Sequence, residues 1–174
     1  MSLRPASAGD ATAIADLQTR SWQDAYAGQL DARFLAETLP GTLADYWGKA
    51  FDGRDPRDVV LLAERADRLD GFVALGRAAA DPGLAFIDHV HVDPALRRQG
   101  LGRRLMAAAA RVAEDQGRGA VYLMVLSSNA AALAFYRRLG GRVGAAIPDR
   151  VFGLDVTARR VEWPDIADLI AACR

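Results

Sequence analysis

A strand, a loop, a helix and a second strand follow one another within residues 84–126, and this segment restricts the fold more than any other. The run LAFIDHVHV (84–92) predicts a long strand that ends before Pro94, because proline has no N–H group for a sheet ladder. An amphipathic helix is predicted over about 102–116. The almost wholly apolar run AVYLMVL (120–126) is typical of a strand buried on both faces. We therefore expect a central sheet with helices against it.

Further strands and helices are predicted on both sides of this segment. Strands are expected at 2–5, 58–64, 72–78, about 142–147 and 151–162, with turns at 67–71 and at Asp81-Pro82-Gly83. Helices are expected after Asp10, over 31–39 with an end at Pro40-Gly41, from Ser128 or Asn129 to Gly140, and from Pro164 onward. The order β-α-α-β-β-β-α-β-α-β-β predicts an α/β (α+β) protein with a mixed sheet flanked by helices.

Length and composition suit one small domain. The 174 residues can bury a real core, and we assign 1–162 to one domain and 163–174 to a helical extension that packs on it or on a partner, for example in a homodimer. Lys+Arg and Asp+Glu both number 22, which argues against a broad nucleic-acid or membrane surface. The single cysteine, Cys173, agrees with a reducing compartment. We expect a cytoplasmic protein that binds no nucleic acid, membrane or metal.

An arginine-rich and glycine-rich loop precedes the helix at 102–116. Because a helix start offers unpaired N–H groups and partial positive charge, it can bind an anion. Gly100 and Gly102 lack a Cβ, so an oxyanion can approach the backbone. The arginines that could neutralise a pyrophosphate are Arg97, Arg98, Arg103 and Arg104. A solvated arginine cluster is the alternative interpretation.

Two known kinds of phosphate loop do not fit this segment. A P-loop requires a lysine followed by serine or threonine after its glycine, and no such pair is present. A dinucleotide fingerprint requires three glycines in the first strand-helix turn. Here Leu105 stands in place of the third glycine, and the loop lies at mid-chain after several strands.

A second segment, after strand 120–126, carries polar side chains that could act together with this loop. Asn129 stands at a predicted helix start, and its amide can both donate and accept a hydrogen bond. Tyr136 lies two turns further on the same face, where a phenol could give a proton to a leaving thiolate. The alternatives are a simple N-cap for Asn129 and a core aromatic pair for Phe135 and Tyr136.

Taken together, the two segments resemble the GNAT superfamily of acyl-CoA-dependent N-acetyltransferases. RRQGLG (97–102) matches the pyrophosphate motif [RQ]xxGx[GA], and NAAALAFYRRLG (129–140) matches NxxAxx[LF]YxxxG. The resemblance covers about 3–160 and is firm in 84–141. One departure is Gly141, where the family often has an aromatic residue, which predicts a less well anchored start of the next strand.

The resemblance implies a fold and a cofactor. It implies a mixed sheet of about seven strands in which 84–92 and 120–126 run parallel and splay apart at their C-terminal ends. The opened edges would pair with the pantetheine arm of acetyl-CoA. The residues implied in binding acetyl-CoA are Val90, His91, Val92, Arg97, Arg98, Gln99, Gly100, Leu101, Gly102, Arg103, Arg104, Asn129, Phe135 and Tyr136.

The resemblance also implies acyl transfer to a primary amine by direct attack in a ternary complex. Tyr136 is the expected general acid, and the N–H group of Val90 could stabilise the developing oxyanion. The base is left open between Asp88, a histidine (His91 or His89), and a water relay. Alternation along the strand predicts Asp88 on one face and both histidines on the other. A covalent acyl-enzyme is disfavoured because Cys173 lies far from the motifs.

The acceptor is expected against the first two helices. Trp22, Tyr26 and Asp24 could line a pocket for a small-molecule or peptide amine, although Trp22 and Tyr26 could equally be core residues, as Phe34 could. Two other functions stay open at this point. One is a non-catalytic protein of GNAT fold that senses acyl-CoA, and the other is a nucleotide-binding protein whose loop only resembles the motif.

Overall fold

A seven-stranded mixed sheet with helices on both faces forms the protein, as the sequence predicted. The structure is a computed structural model that describes residues 2–53, 55, 58–66, 68–77, 81 and 83–174. The strands are β1 (Ser2–Pro5), β2 (Val59–Arg65), β3 (Arg68–Arg77), β4 (Leu84–Val92), β5 (Ala120–Leu126), β6 (Arg142–Val151) and β7 (Leu154–Trp163). The α-helices are α1 (Ala11–Ala25), α2 (Leu39–Lys49), α3 (Leu101–Asp115), α4 (Ala130–Arg138) and α5 (Ile166–Ala172).

The sheet has the strand order β1-β2-β3-β4-β5-β7-β6. Only β4 and β5 pair in parallel, and every other neighbouring pair is antiparallel. The parallel pair is connected through α3, as a parallel connection requires a long crossover. Both central strands have the bounds predicted from their apolar runs.

The two central strands separate after a short stretch of pairing. Their register runs from Leu84↔Ala120 to Ile87↔Leu123, whereas β4 continues to Val92 and β5 to Leu126. The predicted splay is therefore confirmed. It leaves the facing edges of β4 and β5 unpaired with each other at their C-terminal ends.

A β-bulge in β4 marks the point where the two strands part. His89 pairs with Ala74 of β3 and Ile87 pairs with Leu75, so Asp88 is the extra residue of β4. An extra residue interrupts the alternation of side chains between the two faces. The face predicted for Asp88 from strict alternation therefore does not apply, whereas His89 and His91 share a face as predicted, with ring centres 5.9 Å apart.

Two hydrophobic cores lie on opposite faces of the sheet. One joins the sheet to α3, α4 and α5, and the other joins it to α1 and α2. Neighbouring residues of β3 alternate between them, since Phe72 belongs to the α1–α2 core and Val73 to the α3 core. The terminal helix α5 places Ile166 and Leu169 in the α3 core.

Several local predictions are wrong. Pro40 and Gly41 do not end a helix but begin α2, after a π-helical turn at Phe34–Thr38, because proline is well suited to the first turn of a helix. Arg68 to Gly71 belong to β3 and not to a turn. Asp10 stands before α1 as predicted, but its carboxylate binds Arg4 and Ser7 instead of capping the helix. Residues 67, 78 and 82 of the predicted turns and strand lie outside the described residues.

The start of β6 is anchored, contrary to the expectation from Gly141. A Cβ at position 141 would lie 2.6 Å from Val161 and 2.8 Å from the indole of Trp163. Trp163 donates from Nε1 to the carbonyl of Leu139 at 2.7 Å and is buried. The indole of β7 thus fills the space beside Gly141. Among the described residues, no helix combines the length and apolar character needed to cross a membrane.

Candidate functional site

The loop between β4 and α3 is shaped by two left-handed residues. Arg98 has φ 61° and Gly100 has φ 79°, and α3 begins at Leu101. No atom lies within 4 Å of the place where a Cβ of Gly100 would stand. The first turn of α3 carries no acidic residue. An anion can therefore approach the N–H groups at this helix start, and the loop fits a pyrophosphate.

Gly102 is required by the packing of α4 against this loop. A Cβ at position 102 would lie 3.3 Å from Cζ of Phe135, which is tighter than usual carbon contacts. The ring of Phe135 also lies 5.2 Å from the ring of Tyr136. The two motif segments, far apart in sequence, are thus in direct contact.

The arginines of the loop differ in what they contact. Arg97 forms an ion pair with Asp24 of α1 and donates from Nη2 to the carbonyl of Ser21 at 3.2 Å. Arg103 donates from Nη1 to the main-chain oxygen of Arg174 at 3.1 Å. Arg98 is exposed and borders the main cleft. Of the predicted cofactor residues, Gln99 and Arg104 do not border it.

A cleft of about 1170 Å³ joins the loop to the opened strands and to the α1–α2 side. At one end it is lined by residues of the loop and the start of α3, including Gly100. Its middle is lined by the ends of β4 and β5, with Val90 and Val125 among them. At the other end it is lined by Tyr46 of α2 and Phe152 of the β6–β7 turn. The volume suits a large ligand together with a second, smaller one.

Asn129 and Tyr26 are linked across the cleft wall. Asn129 caps α4, since its Oδ1 accepts from the N–H of Ala132 at 3.0 Å. Its Nδ2 donates to the phenol oxygen of Tyr26 at 3.2 Å. Burial raises the pKa of Tyr26, which therefore stays neutral. The asparagine thus fixes the start of α4 and touches α1 with the same side chain.

Tyr136 lies on α4 with 8% of its surface exposed and borders the cleft. Its ring contacts Phe135 and packs edge-on against Trp163, with ring centres 6.1 Å apart. Burial, with the nearby phenol of Tyr26 as a smaller cause, raises the pKa of Tyr136 well above its usual range. The phenol therefore carries its proton at all physiological pH values.

Asp88, His89 and Tyr46 form a cluster at the bulge of β4. The hydroxyl of Tyr46 donates to Oδ2 of Asp88 at 3.1 Å, and Nε2 of His89 lies 3.3 Å from the same oxygen. The prediction that Asp88 faces away from both histidines is therefore wrong for His89. The bulge at Asp88 is the physical reason, since it ends the regular alternation.

His91 lies on the same face of the sheet as His89 but contacts different side chains. Its Nδ1 is 3.0 Å from the hydroxyl of Ser21, and its ring centre is 5.2 Å from that of Phe72. Burial, with smaller contributions from His89 and Arg97, places the pKa of His91 well below its usual value. The imidazole is therefore neutral and weakly basic.

An aromatic corner closes the end of the cleft near Asp88. Phe152 lies 5.4 Å from Trp22 and 5.8 Å from Tyr46 between ring centres. Phe152 has φ 47° and Gly153 φ 83°, and they form the two-residue turn between β6 and β7. Such a turn favours asparagine or glycine at its first position, so a phenylalanine there is strained.

Two of the three predicted acceptor residues lie together. Trp22 belongs to the aromatic corner, and its ring centre is 4.9 Å from that of Tyr26, which accepts from Asn129. Asp24 instead binds Arg97. Sequence reasoning missed Tyr46 and Phe152. The pair Phe-Gly at a hairpin turn is the one sequence signal that could have drawn attention to Phe152. Over the described ranges, no group of three or more His, Cys, Asp or Glu side chains could hold a metal.

Known proteins match both the sequence and the fold. The acetyltransferase (GNAT) family matches residues 13–141. Streptothricin acetyltransferase from Streptomyces lavendulae is 38% identical over 90 residues, covering 51% of this chain and 47% of that protein. The N-alpha-acetyltransferase RimI of Mycobacterium tuberculosis is 35% identical over 105 residues, covering 58% of this chain and 65% of that protein.

Solved structures resemble the whole chain. The PaiA N-acetyltransferase from Thermoplasma acidophilum, solved with coenzyme A, has a TM-score of 0.69 at 20% identity and covers 91% of this chain and 98% of that chain. YncA from Salmonella typhimurium, solved with acetyl-CoA, has a TM-score of 0.64 at 23% identity over 94% of this chain and 92% of that chain. At these sequence identities the structural similarity shows the fold alone.

The sequence matches are shorter than the relatives themselves. The first four curated relatives are matched over 21% to 65% of their own lengths. The family match, by contrast, covers more than half of the present chain and includes both motif segments. The resemblance inferred from residues 97–102 and 129–140 is therefore confirmed, and the chain belongs to the acetyltransferase (GNAT) family.

Proposed function

We propose that this protein is an N-acetyltransferase that transfers the acetyl group of acetyl-CoA to a primary amine by direct attack in a ternary complex. One observation carries the proposal. A single cleft connects an anion-binding helix start, two opened strand edges and a protonated tyrosine. An elongated donor with a phosphate group at one end and an acyl sulfur at the other matches this sequence of surfaces.

The residues that would hold acetyl-CoA are those of the loop and the opened strands. The N–H groups from Arg98 to Arg104 would bind the pyrophosphate, with Gly100 leaving room for it. The main chains of Val90 and Val92 would pair with the amides of pantetheine, since β4 has no β5 partner there. Asn129 would contact the same arm from α4.

Acetyl-CoA supplies an acetyl group as a thioester: the amine nitrogen forms the C–N bond, the C–S bond breaks, and the thiolate takes a proton. Tyr136 holds that proton at its phenol oxygen, because burial keeps it neutral. The N–H group of Val90 would donate to the negatively charged oxygen that develops during attack. Asp88 and His91 both border the cleft. Asp88 is the candidate to take the amine proton, because burial leaves His91 a weak base.

The acceptor amine would enter at the aromatic corner. Trp22, Tyr46 and Phe152 offer apolar and aromatic surface, and Asp88 offers a negative charge beside it. A cationic primary amine on a small molecule or a peptide fits this combination. Two relatives are named for acetylating streptothricin and for N-alpha-acetylation, which supports either kind of acceptor. The single cysteine supports a cytoplasmic location.

The test is a free-thiol release screen with acetyl-CoA and a panel of small and peptide amines. We expect thiol release that depends on both the protein and the amine. Calorimetry with acetyl-CoA, run alongside, separates the two parts of the proposal. Binding of acetyl-CoA without thiol release for any amine would indicate a non-catalytic acyl-CoA-binding protein. Absence of binding at millimolar acetyl-CoA would contradict the donor assignment.

A further inference from the structure

We infer that Gln18 and Trp47 are positioning residues that keep the proton of neutral His89 on Nε2, so that Asp88, and not His89, receives the proton of the acceptor amine. This inference rests on the proposed function for its catalytic part. Its structural part concerns the tautomer of one histidine and stands by itself. Five contacts among residues of α1, α2 and β4 carry it.

The first contact fixes the orientation of the Gln18 amide. Trp47 donates from Nε1 to Oε1 of Gln18 at 2.7 Å, and 0% of Gln18 and 1% of Trp47 are exposed. An indole N–H can only donate, so it must meet the amide oxygen. The reversed amide would place two donors against each other in a buried site. The NH₂ group of Gln18 therefore points away from Trp47.

The second contact passes this orientation to His89. Nε2 of Gln18 lies 3.4 Å from Nδ1 of His89. Because the amide nitrogen can only donate, Nδ1 must accept and cannot carry a proton. The neutral imidazole then carries its proton on Nε2. His89 is thereby fixed as one tautomer by a residue that does not touch the cleft.

The remaining contacts hold the Asp88 carboxylate. Nε2 of His89 is 3.2 Å from the hydroxyl oxygen of Tyr46 and 3.3 Å from Oδ2 of Asp88. The Tyr46 hydroxyl itself donates to Oδ2 of Asp88. Both donors thus converge on one carboxylate oxygen. The Asp88 side chain is 37% exposed and borders the cleft.

The proton that leaves the acceptor amine has a defined acceptor in this arrangement. A bound ammonium loses one proton, and Oδ1 of Asp88 gains it, directly or through one water, while the C–N bond forms with the nitrogen lone pair. His89 cannot take that proton, because its Nε2 already carries one and its Nδ1 faces Gln18. Its role is to hold Asp88 in place.

Among the described residues, groups from four elements face His89. They include Gln18 of α1, Tyr46 and Trp47 of α2, Phe72 of β3, and Asp88 and His91 of β4. Asp88 is the charged member of this set, since His91 is held neutral by burial. A change at Gln18 therefore acts on Asp88 through the imidazole between them.

The tautomer is measured directly on the resting protein. Long-range ¹H–¹⁵N correlation at pH 7 reports which ring nitrogen of His89 carries the proton. We expect Nε2–H in the wild-type protein. In Gln18→Glu the carboxylate still accepts from Trp47 but can no longer donate to His89, so we expect protons on both ring nitrogens. Nδ1–H in the wild-type protein would overturn the inference.

Kinetics test the consequence for the reaction. In Gln18→Glu a cationic His89 would stabilise the Asp88 carboxylate and make it a weaker base. We therefore expect kcat to fall about 10-fold and the acid limb of the kcat–pH profile to move to lower pH. KM for acetyl-CoA should stay within about 2-fold, because Gln18 lies outside the donor surfaces. Gln18→Met should also lose about 10-fold in kcat, with a mixture of tautomers. Unchanged kcat and an unchanged pH profile in both variants would overturn the inference.

A matched control separates positioning from general damage to α1. Gln23 lies on the same helix, is exposed, and donates to the carbonyl of Leu35 away from the cleft. Gln23→Met should leave kcat, the pH profile and the His89 tautomer unchanged. A protein that acetylates no amine yet shows Nε2–H at His89 would refute the proposed function and retain the tautomer assignment. The two failures are therefore distinguishable.

Discussion

At the scale of single residues, burial decides the protonation states in the cleft. Tyr136 is buried and His91 is partly buried, and burial favours the neutral form of each. The neutral phenol of Tyr136 keeps its proton, whereas the neutral imidazole of His91 lacks the second proton of the cationic form. The same physical effect thus keeps the proton on the phenol and makes the imidazole a poor proton acceptor.

The phenol of Tyr136 can be tested by removing only its oxygen. We expect Tyr136→Phe to lower kcat about 100-fold, since general acids contribute at least this much, while acetyl-CoA affinity changes little. Steady-state kinetics and calorimetry measure the two quantities. Tyr122→Phe is the control, because Tyr122 stacks on Phe86 and does not border the cleft. Equal turnover of Tyr136→Phe and wild type would remove Tyr136 as the acid.

The partly buried His91 should make stability fall in acid. Its pKa is lowered in the folded state, so the unfolded chain binds a proton first as pH drops below about 6.5. The stabilisation is complete above that pH, and we expect it to decrease by at most about 1.4 kcal/mol per pH unit below it. Urea unfolding at pH 7 and pH 5 measures this. His91→Gln should reduce the difference, and an equal difference in that variant would contradict the assignment.

At the scale of elements, the sequence predicted the strands and helices that have a regular hydrophobic pattern, but it did not predict irregular features such as the bulge in β4. β4, β5 and α4 follow from apolar runs and motif spacing that are long enough to be unambiguous. The bulge at Asp88 could not be predicted, because alternation assumes one residue per pairing position and the extra residue depends on the partner strand. Pro40 was misleading because proline suits both a helix start and the residue after a helix.

The junction of α4 and β6 gives a prediction about packing. We expect Gly141→Ala to destabilise the fold by about 2 kcal/mol, since the new methyl group would overlap Val161 and the indole of Trp163. Chemical denaturation measures the free energy of unfolding. Gly144→Ala is the control, because a Cβ there meets its nearest atom at 3.4 Å, which is ordinary contact. Similar stability of both variants would show that Trp163 moves aside freely.

At the scale of the molecule, the candidate site exists only in the folded chain. Tyr46, Asp88 and Phe152 come from α2, β4 and the β6–β7 turn, and no local pattern in the sequence connects them. The loop at 97–104 and Tyr136, in contrast, belong to two segments with fixed spacing, so the sequence alone was enough to propose the donor side. The proposed acceptor side required the arrangement of three distant segments.

Donor binding should stabilise the whole protein. At acetyl-CoA concentrations near 100 times Kd we expect about 2.7 kcal/mol of added stability and a rise in Tm of about 5–10 °C. Thermal unfolding with and without acetyl-CoA measures this, with ATP and NAD as controls that should have no such effect. Gly100→Glu should abolish the rise, because a carboxylate would occupy the open space at the helix start. A full rise in that variant would place the phosphates elsewhere.

The short pairing between β4 and β5 has a consequence for the shape of ligand that can bind between these strands. Only four residue pairs join the two halves of the sheet, so two rows of peptide groups face each other across an internal gap. Such rows on the outside of a protein invite aggregation with other chains. Here they line the cleft, which favours a thin guest with amide groups of its own. We therefore expect the incomplete pairing to select for such a guest, and the proposed donor to complete the sheet as a missing strand would.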